Sequence, residues 1–170
     1  MTYYVPDGTW THLLDGRTIT GPRWVTETHG FESLPVLVRP GTVLPSGART
    51  DGPEYDYAGD VSLHLFEPRE LVDHTVRIPA PGGGIGATFD VVREGDTITV
   101  TRTDGAAGSW SVVLTAGVQV TSVAGADPVD EPAGTGSRLR GEAHTVTIIL
   151  AFPSAFPSAF PSPAQEDSHP

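Results

Sequence analysis

Four carboxylates fall within ten positions of one another: Asp51, Glu54, Asp56 and Asp60. Paired carboxylates can serve as acid and base in glycoside hydrolysis, where their separation decides the stereochemical outcome. The same oxygens can ligate calcium, but the spacing lacks the alternating Asp/Asn pattern and closing Glu of an EF-hand loop. Gly52, Pro53 and Gly59 break the segment into turns. A solvated acidic linker is the favoured reading.

The other candidates for chemistry are weaker. His12, His29, His64, His74, His144 and His169 show neither His-Glu-x-x-His nor His-x-x-x-His spacing, so no metal ligands are assigned. "GGGIGA" at 82–87 satisfies Gly-x-Gly-x-x-Ala in form. A dinucleotide site needs a strand before it and a helix after it, so that the helix N-terminus meets the pyrophosphate. Here Pro79 and Pro81 precede the glycines and the strand-like "TFDVVREGDT" follows, which leaves a hairpin loop and no cofactor. No Gly-x-Ser-x-Gly elbow occurs. The chain has no cysteine, which excludes disulfides, thiolate catalysis and zinc–thiolate sites.

Aromatic residues offer a different chemistry. Trp10, Trp24 and Trp110, with Tyr3, Tyr4, Tyr55 and Tyr57, could stack on sugar rings as a carbohydrate-binding platform. Each ring also buries much area, and Trp10 and Trp24 alternate with polar residues. Core packing is favoured over a platform.

The elements that would position these residues are strands. Apolar residues recur with period two: Val61, Leu63, Leu65; Ala87, Phe89, Val91; Ile98, Val100; Trp110, Val112, Leu114; Val146, Ile148, Leu150. Thr and Val abound because β-branched side chains suit a pleated surface. Turns separate the runs: "EGD" at 94–96, and "DG" at 7–8, 15–16 and 104–105. Residues 68–74 hold one helical turn at most. The pattern predicts an all-β chain of antiparallel sandwich type, with strands near 61–66, 74–78, 87–93, 97–103, 109–115, 118–124 and 144–150. The Gly/Asp/Pro-rich stretch 125–143 reads as a loop with a short strand at 137–140.

Composition narrows the function. Gly and Pro, 20 and 16 in 170 residues, fit many short strands joined by turns. The net charge of −11 would repel a phosphate backbone or an anionic membrane surface, so neither nucleic acid nor membrane is an expected partner. All ten basic residues are Arg, and Lys and Asn are absent, which excludes N-glycosylation. "MTYYVPDG" has no signal-peptide character and no apolar run approaches the roughly 20 residues of a membrane span. A cytoplasmic location is the expectation. From Ala151, Ala-Phe-Pro-Ser repeats three times; Pro every fourth residue prevents helix and ladder, so a disordered tail is expected.

One stretch is unusually punctuated. "SLPVLVRPGTVLP" (33–45) has prolines at 35, 40 and 45 around Val36-Leu37-Val38, which ends on Arg39. Pro35 can start a strand where no donor is needed, and Pro40-Gly41 fits the centre of a type II turn. Arg39 is expected to find a structural partner for its five donors.

Together with "YYVPDGTWTHLLDG" (3–16), "GPRWVTETHGFESLPVLVRPGTVLP" (21–45) and "PEYDYAGDVSLHLF" (53–66), this stretch resembles the C-terminal region of glycoside hydrolase family 31. Leu34, Pro35, Arg39, Gly41 and Pro45 fit that family's Leu-Pro-x-x-x-Arg-x-Gly-x-x-x-Pro segment. His29-Gly30-Phe31 and Asp56-Tyr57 look most like its α-xylosidase branch. The resemblance covers about residues 3–150. It implies a partial proximal β module over 1–52, an acidic linker over 53–60, a distal β-sandwich over 61–150 and a tail over 151–170. Family members hydrolyse α-glycosidic bonds with retention, using two aspartates of an upstream (β/α)₈ barrel. No aspartate here matches those motifs. The implied function is a non-catalytic C-terminal region, with the barrel as partner, inactive alone and with no assigned catalytic, cofactor or metal residue. The alternative is a free-standing carbohydrate-binding module that stacks sugar on Trp and Tyr. An apolar patch and an unpaired edge are expected where the proximal module would meet a barrel.

Overall fold

A computed structural model describes residues 1–49, 52, 55–106, 108–115, 118–129, 136–142 and 144–151. The Ala-Phe-Pro-Ser tail beyond Ala151, Asp51 and Glu54 lie outside these. Among the described residues thirteen strands form: β1 (Thr2–His12), β2 (Thr18–Thr26), β3 (Leu37–Val38), β4 (Val43–Ser46), β5 (Ser62–Leu65), β6 (His74–Pro79), β7 (Ile85–Glu94), β8 (Thr97–Gly105), β9 (Trp110–Leu114), β10 (Val120–Ala124), β11 (Asp127–Val129), β12 (Ser137–Gly141) and β13 (Thr145–Leu150). The helical turn expected after Phe66 is a 3₁₀ turn at Pro68–Glu70. Among the described residues no helix is long and apolar enough to cross a membrane.

Two five-stranded sheets, β10-β13-β8-β7-β6 and β11-β12-β9-β5-β4, face each other. The period-two residues meet between them: Phe89, Val91, Ile98, Val100, Val146 and Ile148 from one sheet, and Leu63, Leu65, Trp110, Val112 and Leu114 from the other, all at 1 % exposure or less. Burying each such side chain stabilises by about 1.5–3 kcal/mol, which makes this the stable part of the molecule. Phe89 and Trp110 touch across the layers, with centroids 5.1 Å apart and planes at 54°.

One pairing departs from the antiparallel expectation. β5 runs parallel to β9, with Leu63 opposite Val112. Between them the chain spends three strands, β6 to β8, in the opposite sheet. Four successive reversals bring it back in its original direction.

Other differences from the sequence reading are local. β4 pairs with β5, so the strand of Val43 and Pro45 belongs to the sandwich, and the change of sheet falls between β3 and β4, ahead of the acidic segment. β11 falls within the stretch expected as loop; its three residues are all exposed, and Pro128 sits inside it, so it shows no inward face to read. The "DG" pairs at 7–8 and 104–105 lie within strands, at or beside register breaks, with Gly8 and Gly105 at φ 113° and 115°. Only 15–16 is a reversal between strands, with Gly16 at φ 72°.

The third sheet, β2-β1-β3, is built by the first 38 residues. It meets the sandwich through the Pro40-Gly41 turn. Gly41 has φ 73°, and a Cβ there would lie 2.3 Å from the Glu70 carbonyl oxygen, so conformation and space both require glycine. Its N–H bonds to the Phe66 carbonyl at 2.9 Å, which ties the end of the first sheet to the end of β5.

Candidate functional site

The sequence candidates disperse in space. Asp56 Oδ1 accepts the Ala58 N–H at 3.1 Å and shapes its own turn. Asp60 Oδ1 accepts from the Ser109 hydroxyl and, at 3.0 Å, from Arg140. Both described carboxylates of the acidic segment are thus engaged in local structure. No group of three or more His, Asp or Glu that could hold a metal occurs among the described residues. His64 is half-buried, hydrogen-bonded to Ser46 Oγ at 2.8 Å and stacked on Phe66. Gly82, Gly83 and Gly84 all have positive φ and turn β6 into β7, with no helix after them. Arg39, expected to have a structural partner, is exposed and makes no hydrogen bond or ion pair among the described residues. It lies just after the two-residue strand β3.

The largest polar constellation described is one the sequence reading missed. Glu27 accepts from Arg17 Nη1 at 2.5 Å and Nη2 at 2.8 Å, from the Tyr3 hydroxyl at 2.9 Å, and lies 3.1 Å from His29 Nε2. Arg17 also bonds Asp15 at 3.1 Å, and His29 Nδ1 lies 2.8 Å from Ser33 Oγ. Arg17 and Glu27 flank the two ends of β2. Fully extended, ten residues would hold them about 33 Å apart. Their contact therefore requires the β1–β2 ribbon to bend back on itself. The bend sits where the register breaks between Val5 and Gly8, and where a Cβ on Gly21 would lie 1.8 Å from the Pro6 carbonyl oxygen. The carboxylate of Glu27 thus clasps both ends of the ribbon and the loop after it. The Arg17 guanidinium, helped by Tyr3, holds the Glu27 carboxyl at about 2, well below its ordinary value.

Ser33, His29 and Glu27 line up as nucleophile, base and carboxylate do in acyl transfer. The surroundings do not complete such a site. The backbone N–H of Ser33 is bonded to the Gly30 carbonyl at 3.3 Å, and Ser33 itself is exposed. Clefts of 460 and 360 Å³ lie on the sandwich instead, around Asp127, Arg138 and Arg140. The alignment's work is to pin a loop.

What the clasp presents is apolar. Trp24 is 71 % exposed and Tyr4, its cross-strand partner, 50 %; Phe31 is fully exposed, and Leu13, Leu14 and Leu34 are exposed as well. The core role expected for Trp24 does not hold, and Trp10 is half-buried with its indole N–H on the Pro6 carbonyl at 3.1 Å. Trp110 alone of the three is fully in the core. The exposed rings of Tyr4 and Trp24 are tilted by 59°, and the half-buried rings of Tyr55 and Tyr57 by 79°, so neither pair is a flat stacking surface.

This sandwich, with a clasped hairpin ahead of it, matches known proteins. The family described as alpha-xylosidase YicI, C-terminal domain, matches residues 56–150, more than half of the chain. The chain belongs to that family. Among curated relatives, alpha-xylosidase XylQ of Lactiplantibacillus pentosus is 38 % identical over 68 residues, covering 38 % of this chain and 9 % of that protein. An alpha-xylosidase of Emericella nidulans is 44 % identical over 62 residues, 32 % of this chain and 8 % of that one. The matches thus span less than a tenth of the length of these relatives. Among solved structures, the Flavobacterium johnsoniae GH31 dextranase FjDex31A superposes with a TM-score of 0.66 at 12 % identity, over 87 % of this chain and 24 % of that one. The Listeria monocytogenes protein lmo2446 gives 0.65 at 12 %, over 88 % and 16 %. At such identities the likeness is one of fold, and it extends beyond the family match to include most of the first sheet. The resemblance to a GH31 C-terminal region and the all-β sandwich both stand.

Proposed function

We propose that this chain is the non-catalytic C-terminal region of an α-xylosidase-like glycoside hydrolase, a scaffold against which a catalytic (β/α)₈ barrel packs. The observation that carries this is the uneven exposure of apolar side chains. Tyr4, Leu13, Leu14, Trp24, Phe31 and Leu34 all stand on the surface of the first 34 residues, beside a sandwich whose exposed large apolar residues, Val72, Ile85, Val92, Val129 and Ile149, are aliphatic only. Exposed apolar patches of this kind mark interaction surfaces. The relatives named alpha-xylosidase are far longer than the matched segment, which leaves room for a partner domain. The neighbour FjDex31A carries the same fold as about a quarter of its chain.

The carboxylates support the same reading. Retaining hydrolysis needs two carboxyl groups about 5–5.5 Å apart around a bound sugar. Here Glu27 is tied up by Arg17, Tyr3 and His29, and Asp60 by Arg140 and Ser109. Incubation of the chain alone with an aryl α-xyloside is expected to release no aglycone above the buffer blank. Turnover that survives purification, and that falls with substitution of a carboxylate in this chain, would overturn the proposal.

A further inference from the structure

We infer that Phe31 is the anchor of the docking surface, held out on a loop that the clasp has already ordered for insertion into an apolar pocket of the partner barrel. This rests on the scaffold reading above. The loop from Glu27 to Ser33 is pinned at both ends. The Glu27 N–H bonds to the Met1 carbonyl at 3.0 Å, and the Met1 amino group to the Glu27 carbonyl at 2.7 Å. Farther along, His29 bridges the Glu27 carboxylate and the Ser33 hydroxyl. The Ser33 N–H closes a tight turn on Gly30, with Phe31 and Glu32 at its centre. The tip of this braced turn is a phenylalanine at 112 % relative exposure, as open as a side chain can be.

A large apolar ring on a floppy loop would lose much of its binding energy to ordering. Pre-organising the loop removes that cost, and aromatic side chains in pockets dominate interface energetics. The ion cluster is thus explained by what it holds in place. Charge gives the partner its chemistry. The side chains of Arg23, next to Trp24, and Arg39 are exposed and make no hydrogen bond or ion pair among the described residues, in a chain with 21 acidic and 10 basic residues. An apolar pocket with carboxylates at its margin is the complementary surface.

The test is a chimera in which the full chain replaces the corresponding C-terminal region of the L. pentosus α-xylosidase XylQ, read by hydrolysis of an aryl α-xyloside and by half-life at elevated temperature. With Phe31 in place the chimera is expected to be active. Phe31→Ala is expected to shorten its thermal half-life at least tenfold, and Phe31→Leu to shorten it less. Neither change is expected to move the melting of the isolated chain. An active chimera indifferent to Phe31→Ala overturns the anchor and leaves the scaffold reading intact. A chimera inactive with Phe31 present overturns the scaffold reading itself. A Phe31→Ala variant that melts early as an isolated chain would show a packing role and also overturn the anchor.

Discussion

The first sheet is antiparallel, and the sandwich is too except for the β5–β9 pair; both are rich in Thr and Val, yet they are stabilised differently. In the sandwich, inward residues of two sheets bury one another, from Val43 to Leu150. In the first sheet only Val5 and Ile19 are buried among its apolar side chains, while Tyr4, Trp24 and Phe31 face outward. There the shape is set by polar contacts instead, with one carboxylate, Glu27, gathering Tyr3, Arg17 and His29. Hydrophobic burial is non-directional and makes a stable unit. A charge cluster is directional and makes a shaped one, at little gain in stability when exposed. The difference teaches that the first sheet is built to present a surface, the sandwich to support it.

The largest effect that would sharpen this contrast lies in the two tryptophans. Trp110 is 1 % exposed and packs on Phe89. Trp110→Ala is expected to destabilise the chain by about 3–5 kcal/mol. Trp24→Ala is expected to change it by no more than about 0.5 kcal/mol. Urea melts of both variants check the pair, and equal losses would erase the distinction between core and display.

This contrast also explains what was legible in sequence. The central strands of the sandwich announced themselves through period two, as Val146, Ile148 and Leu150 do. β11 did not, because its three residues are all exposed. β4 was readable as an apolar segment but not as part of the sandwich, since its partner β5 lies beyond an acidic turn-rich stretch and pairing across it leaves no local trace. The clasp escaped for a similar reason. Arg17 and Glu27 meet only because the ribbon bends at Gly8 and Gly21, and periodicity carries no information about a bend. The spacing Glu27-x-His29 and the exposed run around Phe31 were the available signals.

Acid should separate the two regions next. The Glu27 carboxyl titrates at about 2 in the folded hairpin, against an ordinary value of 4.5, because Arg17 and Tyr3 hold its charged form. A carboxyl depressed by folding contributes stability that is fully present above pH about 4.5 and is lost as pH falls toward 2. Arg17 stays charged throughout, and Tyr3 stays neutral. Amides of β1 and β2 are therefore expected to exchange faster than those of β8, β9 and β13 at pH 6, and the gap to widen, after correction for intrinsic rates, between pH 4.5 and 2.5. Glu27→Gln should narrow the acid-dependent part of the gap, with Asp15, whose carboxyl is also held below its ordinary value, accounting for what remains. Slower exchange in the first sheet than in the distal strands would contradict the whole assignment.

The smallest expected effect tests whether the sandwich is as apolar as its pattern suggests. Arg102 points inward from β8, 6 % exposed, between Phe89 at 5.3 Å and Trp110 at 5.9 Å. Its Nη1 bonds to the Ala106 carbonyl at 2.8 Å, but Nε and Nη2 have no hydrogen-bond partner among the described residues. Burial pushes the guanidinium below its ordinary value. The aromatic faces attract the cation by about 0.5–2 kcal/mol, while each unsatisfied buried donor costs about 1–3 kcal/mol. These oppose one another closely, and a methionine would keep the stem's packing without the charge. Arg102→Met is expected to leave stability unchanged or raise it by about 1–2 kcal/mol in a urea melt. A loss of more than about 2 kcal/mol would mean that the guanidinium holds Phe89 and Trp110 together. The sandwich would then depend, as the hairpin does, on a directional cation rather than on burial alone.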